Sequence, residues 1–133
     1  MQKKIAIACI ALLFAAAAPA WAHHAFSAEF DADQPIQLQG TVAKVELINP
    51  HSWFHIDVTE DDGTVTRWMI EGGTPNTLFR RGVTRDTLAI GTEVFVDGYR
   101  AIDGSNKANG RDMTLPNGDK IFISGPSAIE NPQ

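Results

Sequence analysis

Between Ile36 and Leu47 the chain alternates apolar and polar residues, then changes phase without a break. Ile36, Leu38, Gly40 and Val42 form the first apolar set; Ala43, Val45 and Leu47 form the second. A period of two belongs to a strand, whereas an amphipathic helix repeats every three to four residues. A slip of one residue inside a long strand reads as a bulge or a sharp bend, and Gly40 eases it. A first strand this long and this bent leaves few ways to fold a chain of modest length. Asn49-Pro50 ends it.

The rest of the pattern agrees. In "SWFHIDVTE" Phe54, Ile56 and Val58 share one face, and Trp53, His55 and Asp57 share the other. Asp62-Gly63 suits a tight hairpin, and residues 64–72 form a third strand with Trp68 and Ile70 on one face. Thr74-Pro75 is an N-cap followed by proline at the first helical position. The short helix that follows closes at Gly82, and its Leu78 and Phe79 are expected to plug the bottom of the sheet. Val94 and Val96 mark the next strand. The polar stretch "DGSNKANGRD", residues 103–112, reads as a flexible hairpin tip, and the last β segment, from about Ala108 to Ser124, folds back at Asn117-Gly118. The order β-β-β-α-β-β predicts a mainly β fold: a small OB-fold-like, five-stranded Greek-key barrel with one short helix between strands 3 and 4. A β-sandwich is the alternative.

The amino-terminal segment follows different rules. Lys3 and Lys4 precede an uncharged apolar run from Ile5 to Ala18, then Pro19 and Ala20-Trp21-Ala22. This is the pattern of a secretory signal peptide over residues 1–22, cut after Ala22. The run is shorter than the roughly 20 residues of a transmembrane helix, so no membrane span is expected after cleavage. The expected organisation is signal peptide 1–22, arm 23–35, barrel 36–125 and flexible tail 126–133. The periplasm or the extracellular space is the expected location. The one cysteine, Cys9, falls in the leader. The mature chain then has no disulfide, no cysteine nucleophile and no thiolate metal site. Loss of Lys3 and Lys4 takes the formal charge from −5 to −7. So acidic a domain is a poor ligand for nucleic acid, whose phosphates demand a basic face.

The stretches "HHAFSAEFD", "GTVAKVELINPHSWFHIDV", "GTPNTLFRRGVTRDTL" and "GTEVFVDGYRAIDGSNKANGRDMTLPNGDKIF" together resemble a family of small secreted bacterial proteins known as a domain of unknown function. The resemblance spans nearly the whole mature chain. It implies export and a small β-rich domain, and it implies no activity.

All four histidines fall in two clusters, His23-His24 and His51 with His55. Cleavage after Ala22 would make His23 the first residue. Its α-amine and imidazole could then chelate one ion, and a further imidazole would complete a histidine brace. Cleavage two residues earlier would place His23 third, after Trp21-Ala22, and give a square-planar site of amine, two amides and imidazole. Nitrogen sets of either kind suit Cu(II), so copper is the candidate metal. On a straight strand His51 and His55 stand about 13 Å apart on one face, too far for one ion. His55 is the first choice of partner for His23 and His51 the second, with Glu29 or Asp31 as an oxygen ligand. The alternative is plain solvation of the arm, with His51 capping the strand.

Arg80, Arg81 and Arg85 near the helix end could grip a carboxylate or phosphate, or could offset the helix dipole. Trp53 could stack on a small ligand or anchor a protein partner, or could be half-buried under the arm. No nucleophile motif appears, which leans against an enzyme. The expected function is an exported, non-catalytic binding module for a small ligand or a periplasmic protein partner, with copper held by the N-terminal histidines. A copper-dependent redox enzyme and an accessory subunit docking through Trp53 and the arginine edge are the alternatives.

Overall fold

The computed structural model describes residues 25–125. The expected leader, His23, His24 and the tail 126–133 lie outside the described residues. The fold is mainly β. Six strands, β1 (Phe30–Glu46), β2 (Trp53–Thr59), β3 (Val65–Glu71), β4 (Glu93–Ala101), β5 (Lys107–Thr114) and β6 (Lys120–Phe122), join in one sheet of order β3-β2-β1-β4-β5-β6. Neighbours in that order pair antiparallel. β3 also pairs parallel with β5, from Met69↔Lys107 to Glu71↔Asn109. One helix, α1 (Pro75–Arg80), follows β3.

β1 is bent where the apolar pattern slips. Its register with β2 shifts between Val42 and Lys44, which places a bulge at Ala43. Gly40 is required nearby: a Cβ there would meet the Asp57 carbonyl oxygen at 2.5 Å. β1 also begins at Phe30, six residues before the alternation does. A helical turn over residues 25–29 leads into it. Phe30 pairs with Ala101, and Ile102 N–H donates to the Glu29 carbonyl at 2.9 Å. Phe26 packs edge-on against Tyr99, with ring centroids 5.7 Å apart, and 5.9 Å from Phe30. These aromatic contacts carry a segment whose Asp31, Asp33 and Gln34 show no alternation.

Val42, Phe54, Ile56, Trp68, Ile70, Val94, Val96 and Met113 fill the core from the strands, and Leu78, Val83, Leu88 and Ile123 close its ends. Thr74 caps α1 by accepting from Thr77 N–H at 3.2 Å. Only half of the expected plug is present. Leu78 is fully buried, whereas Phe79 is 71% exposed. Adjacent helical residues point about 100° apart, and so short a helix buries one face.

The last β segment is two strands, so the sheet has six rather than five. Asn117-Gly118 turns them: Leu115 N–H donates to the Asp119 carbonyl, and Gly118 has φ +88°. The expected loop 103–112 is shorter than its composition suggested. β5 begins at Lys107, and Ala108, Asn109, Gly110 and Asp112 are buried. Pairing on both sides, with β4 and β3, satisfies the backbone there. Small residues are needed on the core side: a Cβ on Gly110 would lie 2.5 Å from Ile123 Cδ1. No described helix is long and apolar enough to cross a membrane.

Candidate functional site

His55 lies in β2 and His51 two residues before it, and each finds a carboxylate. His51 Nδ1 lies 2.6 Å from Glu71 Oε1, at the end of β3. His55 Nε2 lies 2.7 Å from Glu46 Oε2, at the end of β1. Trp53 stands between them, with Glu46 and Glu71 as its partners across the two ladders. The histidines therefore lean to opposite sides of β2, and they do not share a ligand. His51 is the open one: its side chain is 44% exposed, against 12% for His55.

The two carboxylates sit in different surroundings. Glu46 also takes the Lys44 ammonium at 2.7 Å, and hydrogen bonds from Lys44 and His55 hold its carboxyl below the ordinary value. Glu71 is only 7% exposed. Burial pushes its carboxyl above the ordinary value; His51 opposes the rise, Glu29 adds to it and Lys107 opposes it. The Glu29 carboxylate, at the end of the turn 25–29, thus lies within electrostatic range of the His51–Glu71 pair. Asp31 is spent locally, accepting from Asp33 N–H at 2.9 Å and from the Gln34 amide at 2.8 Å. Asn109, directly paired with Glu71, is buried, and its Oδ1 has no hydrogen-bond partner among the described residues. This corner gathers acceptors: Glu71, Glu29 and an orphan amide oxygen.

The His51–Glu71 contact has a chemical consequence. In neutral imidazole one ring nitrogen carries the proton. A carboxylate at Nδ1 fixes that proton there and leaves Nε2 as a free lone pair, the usual support of a metal-ligating histidine. In His55 the nitrogen so used is Nε2, and the ring is nearly covered. Among the described residues no group of three or more His, Cys, Asp or Glu is placed to hold a metal ion. A metal at His51 would need donors from outside them, and His23 and His24 lie there.

Trp53 is half-buried, on the same face. The arginines do not act as one grip. Arg81 Nη1 donates to the Phe122 and Ser124 carbonyls at 3.0 and 2.7 Å, so it clamps the chain after β6. Arg80 and Arg85 are exposed. Sequence reasoning missed Glu46 and Glu71. Counting back from the Asp62-Gly63 turn does place Glu71 opposite Trp53, so the hairpin register was a usable signal.

A family model described as a family of unknown function (DUF6152) matches residues 10–112. None of the curated proteins matches the chain.

Proposed function

The chain belongs to this family of unknown function, and we propose from its own chemistry that it is an exported, non-catalytic binding module that holds Cu(II) between its trimmed amino terminus and His51. Export rests on the leader-like residues 1–22. The pairing cycle β1-β2-β3-β5-β4, with β4 back on β1, supports an OB-type barrel with β6 appended to it.

One observation carries the copper reading: an exposed imidazole, oriented by a buried carboxylate, stands beside the turn that follows His23 and His24. Helical rise makes the turn 25–29 about 6 Å long. Two further residues add at most ~7 Å, so the α-amine and ring of His23 can reach the corner held by Glu29 and Glu71. Amine, His23 imidazole and His51 Nε2 form a nitrogen set suited to Cu(II). The acidic corner favours a cation, and His24 supplies a second imidazole beside the first. His51 replaces His55 as the partner from the folded body.

The test is N-terminal sequencing of the exported protein, then Cu(II) titration of that protein followed by electron paramagnetic resonance. The parent and His55→Ala should show the same nitrogen coupling. His51→Ala, and a form with one residue added before His23, should each bind at least tenfold more weakly. A first residue other than His23, or equal binding by all four forms, would refute the reading.

A further inference from the structure

A second site lies on β1, β4 and β5, apart from the histidines. A concavity of about 370 Å³ is lined by Pro35, Ile36, Gln37, Asp97, Gly98 and Arg111. It owes its chemistry to a bulge. Asp97 pairs with Asp112 and Gly98 with Gly110, which leaves Arg111 as the extra residue of β5. In an unbroken strand Arg111 and Asp112 would point to opposite faces. Here the bulge turns Arg111 back, so that its Nε donates to Asp112 Oδ2 at 2.8 Å. The rest of its guanidinium comes within range of Asp97 and Tyr99. Bulges re-aim side chains in this way beside binding sites. The bulge is also fastened, because Ile123 and Ser124 N–H both donate to the Arg111 carbonyl at 3.2 Å.

The charges at the rim are separated by function. Asp112 is 2% exposed and is met by Arg111 on one oxygen and by Lys120 Nζ, at 3.2 Å, on the other. Asp97 lies within hydrogen-bonding range of the Asp112 carboxyl and in electrostatic range of Arg111, but has no ion pair of its own among the described residues. Gln37 Nε2 donates to its Oδ1 at 2.7 Å, and no Lys or Arg forms an ion pair with it among the described residues. The concavity therefore offers a guanidinium edge, a carboxylate with no Lys or Arg ion pair among the described residues, an amide and the apolar ring and methyls of Pro35 and Ile36. A simple anion would be opposed by Asp97, and a simple cation by Arg111. A neutral polyol would use neither charge.

We infer that this concavity binds the zwitterion of a small aliphatic α-amino acid. The ligand carboxylate lies on the free N–H groups of Arg111, its ammonium lies on Asp97, and its side chain lies on Pro35 and Ile36. The volume falls in the range of small-molecule sites. Arg111 offers planar, fork-shaped donors that match a carboxylate. The inference does not rest on the copper reading, and metal-stripped protein tests it.

The experiment is a two-dimensional amide NMR titration of the EDTA-washed exported protein with L-leucine, N-acetyl-L-leucine and L-leucinamide. L-leucine should give saturable shifts at residues 36–37 and 97–98. The acetylated compound, which lacks the ammonium, and the amide, which lacks the carboxylate, should bind at least tenfold more weakly. Asp97→Asn keeps the acceptor for Gln37 and should cost leucine binding at least tenfold. Arg111→Lys keeps the charge but loses the fork, and should weaken leucine more than leucinamide. No saturable shift at these residues, equal binding of the three compounds, or unchanged binding by Asp97→Asn in a folded spectrum would each overturn the proposal.

Discussion

Ile123 lies beyond the last strand, yet it is fully buried. Its carbonyl accepts from Gly73 N–H at 2.8 Å, and its side chain fills the space that Gly110 leaves open. Changing Ile123 to Ala removes three carbons. At about 0.8 kcal/mol per buried carbon the transfer loss is roughly 2.4 kcal/mol. The cavity left behind raises this to about 3–4 kcal/mol, because the glycines and strands around it cannot collapse far. In a domain of about 100 residues each kcal/mol shifts Tm by roughly 4–8 °C, so the variant should melt about 15 °C or more below the parent. Ile123→Val should cost about 1 kcal/mol, or roughly 5 °C. Calorimetry measures both, and urea unfolding should give the same slope for all three proteins if only the native state has lost packing. An alanine variant melting within roughly 4 °C of the parent would refute the reasoning. The segment 123–125 would then be an appendage, and the bulge at Arg111 would lack its support.

Two further outcomes follow from burial. Leu78→Ala should lower stability by about 2–5 kcal/mol, whereas Phe79→Ala, on the exposed side of α1, should change it by no more than about 0.5 kcal/mol; equal losses in thermal melts would contradict the placement of the helix. Glu71→Gln tests the buried carboxylate. Its folded pKa lies above the ordinary value of 4.5, so its contribution to stability is full below about that pH and is lost as pH rises through the folded pKa. The glutamine can still accept the His51 Nδ1 proton but does not titrate. Relative to the parent, the variant should therefore gain stability between pH 4 and pH 7 in urea titrations. A difference that does not change with pH, or that falls, would count against the burial of that charge.

The strands were legible because their faces differ. Phe54, Ile56, Ile70, Val94 and Val96 all lie where the alternation put them, and the slip after Val42 is a bulge in β1. The cap at Thr74 and the turns at Gly63 and Gly118 follow from local chemistry alone. Two misreadings have one physical origin. Residues 107–112 look like a loop because Gly and polar side chains have low strand propensity, but a strand paired on both sides and crowded by Ile70 and Ile123 needs small residues. Residues 30–35 look like an arm, because their pairing with Tyr99 and Ala101 of β4, and the Phe26–Tyr99 contact beside it, come from a distant part of the chain.

The candidate sites were harder to read, because they depend on register rather than on residue type. A strand face is set by counting, and one extra residue moves a side chain to the other face. Without the bulge in β5, Arg111 would point away from Asp112 and Asp97, and the concavity beside Pro35 would carry only negative charge. The histidines obey the same logic. The register of β2 with β1 brings His55 to Glu46, whereas His51, just before β2, meets Glu71 from β3, and His51 is the more exposed of the two. Arg81 Nη1 is committed elsewhere, to the Phe122 and Ser124 carbonyls. Register thus decides what a charged side chain has left to offer: Asp97 has no Lys or Arg ion pair among the described residues, and His51 has only its Nδ1 committed, to Glu71.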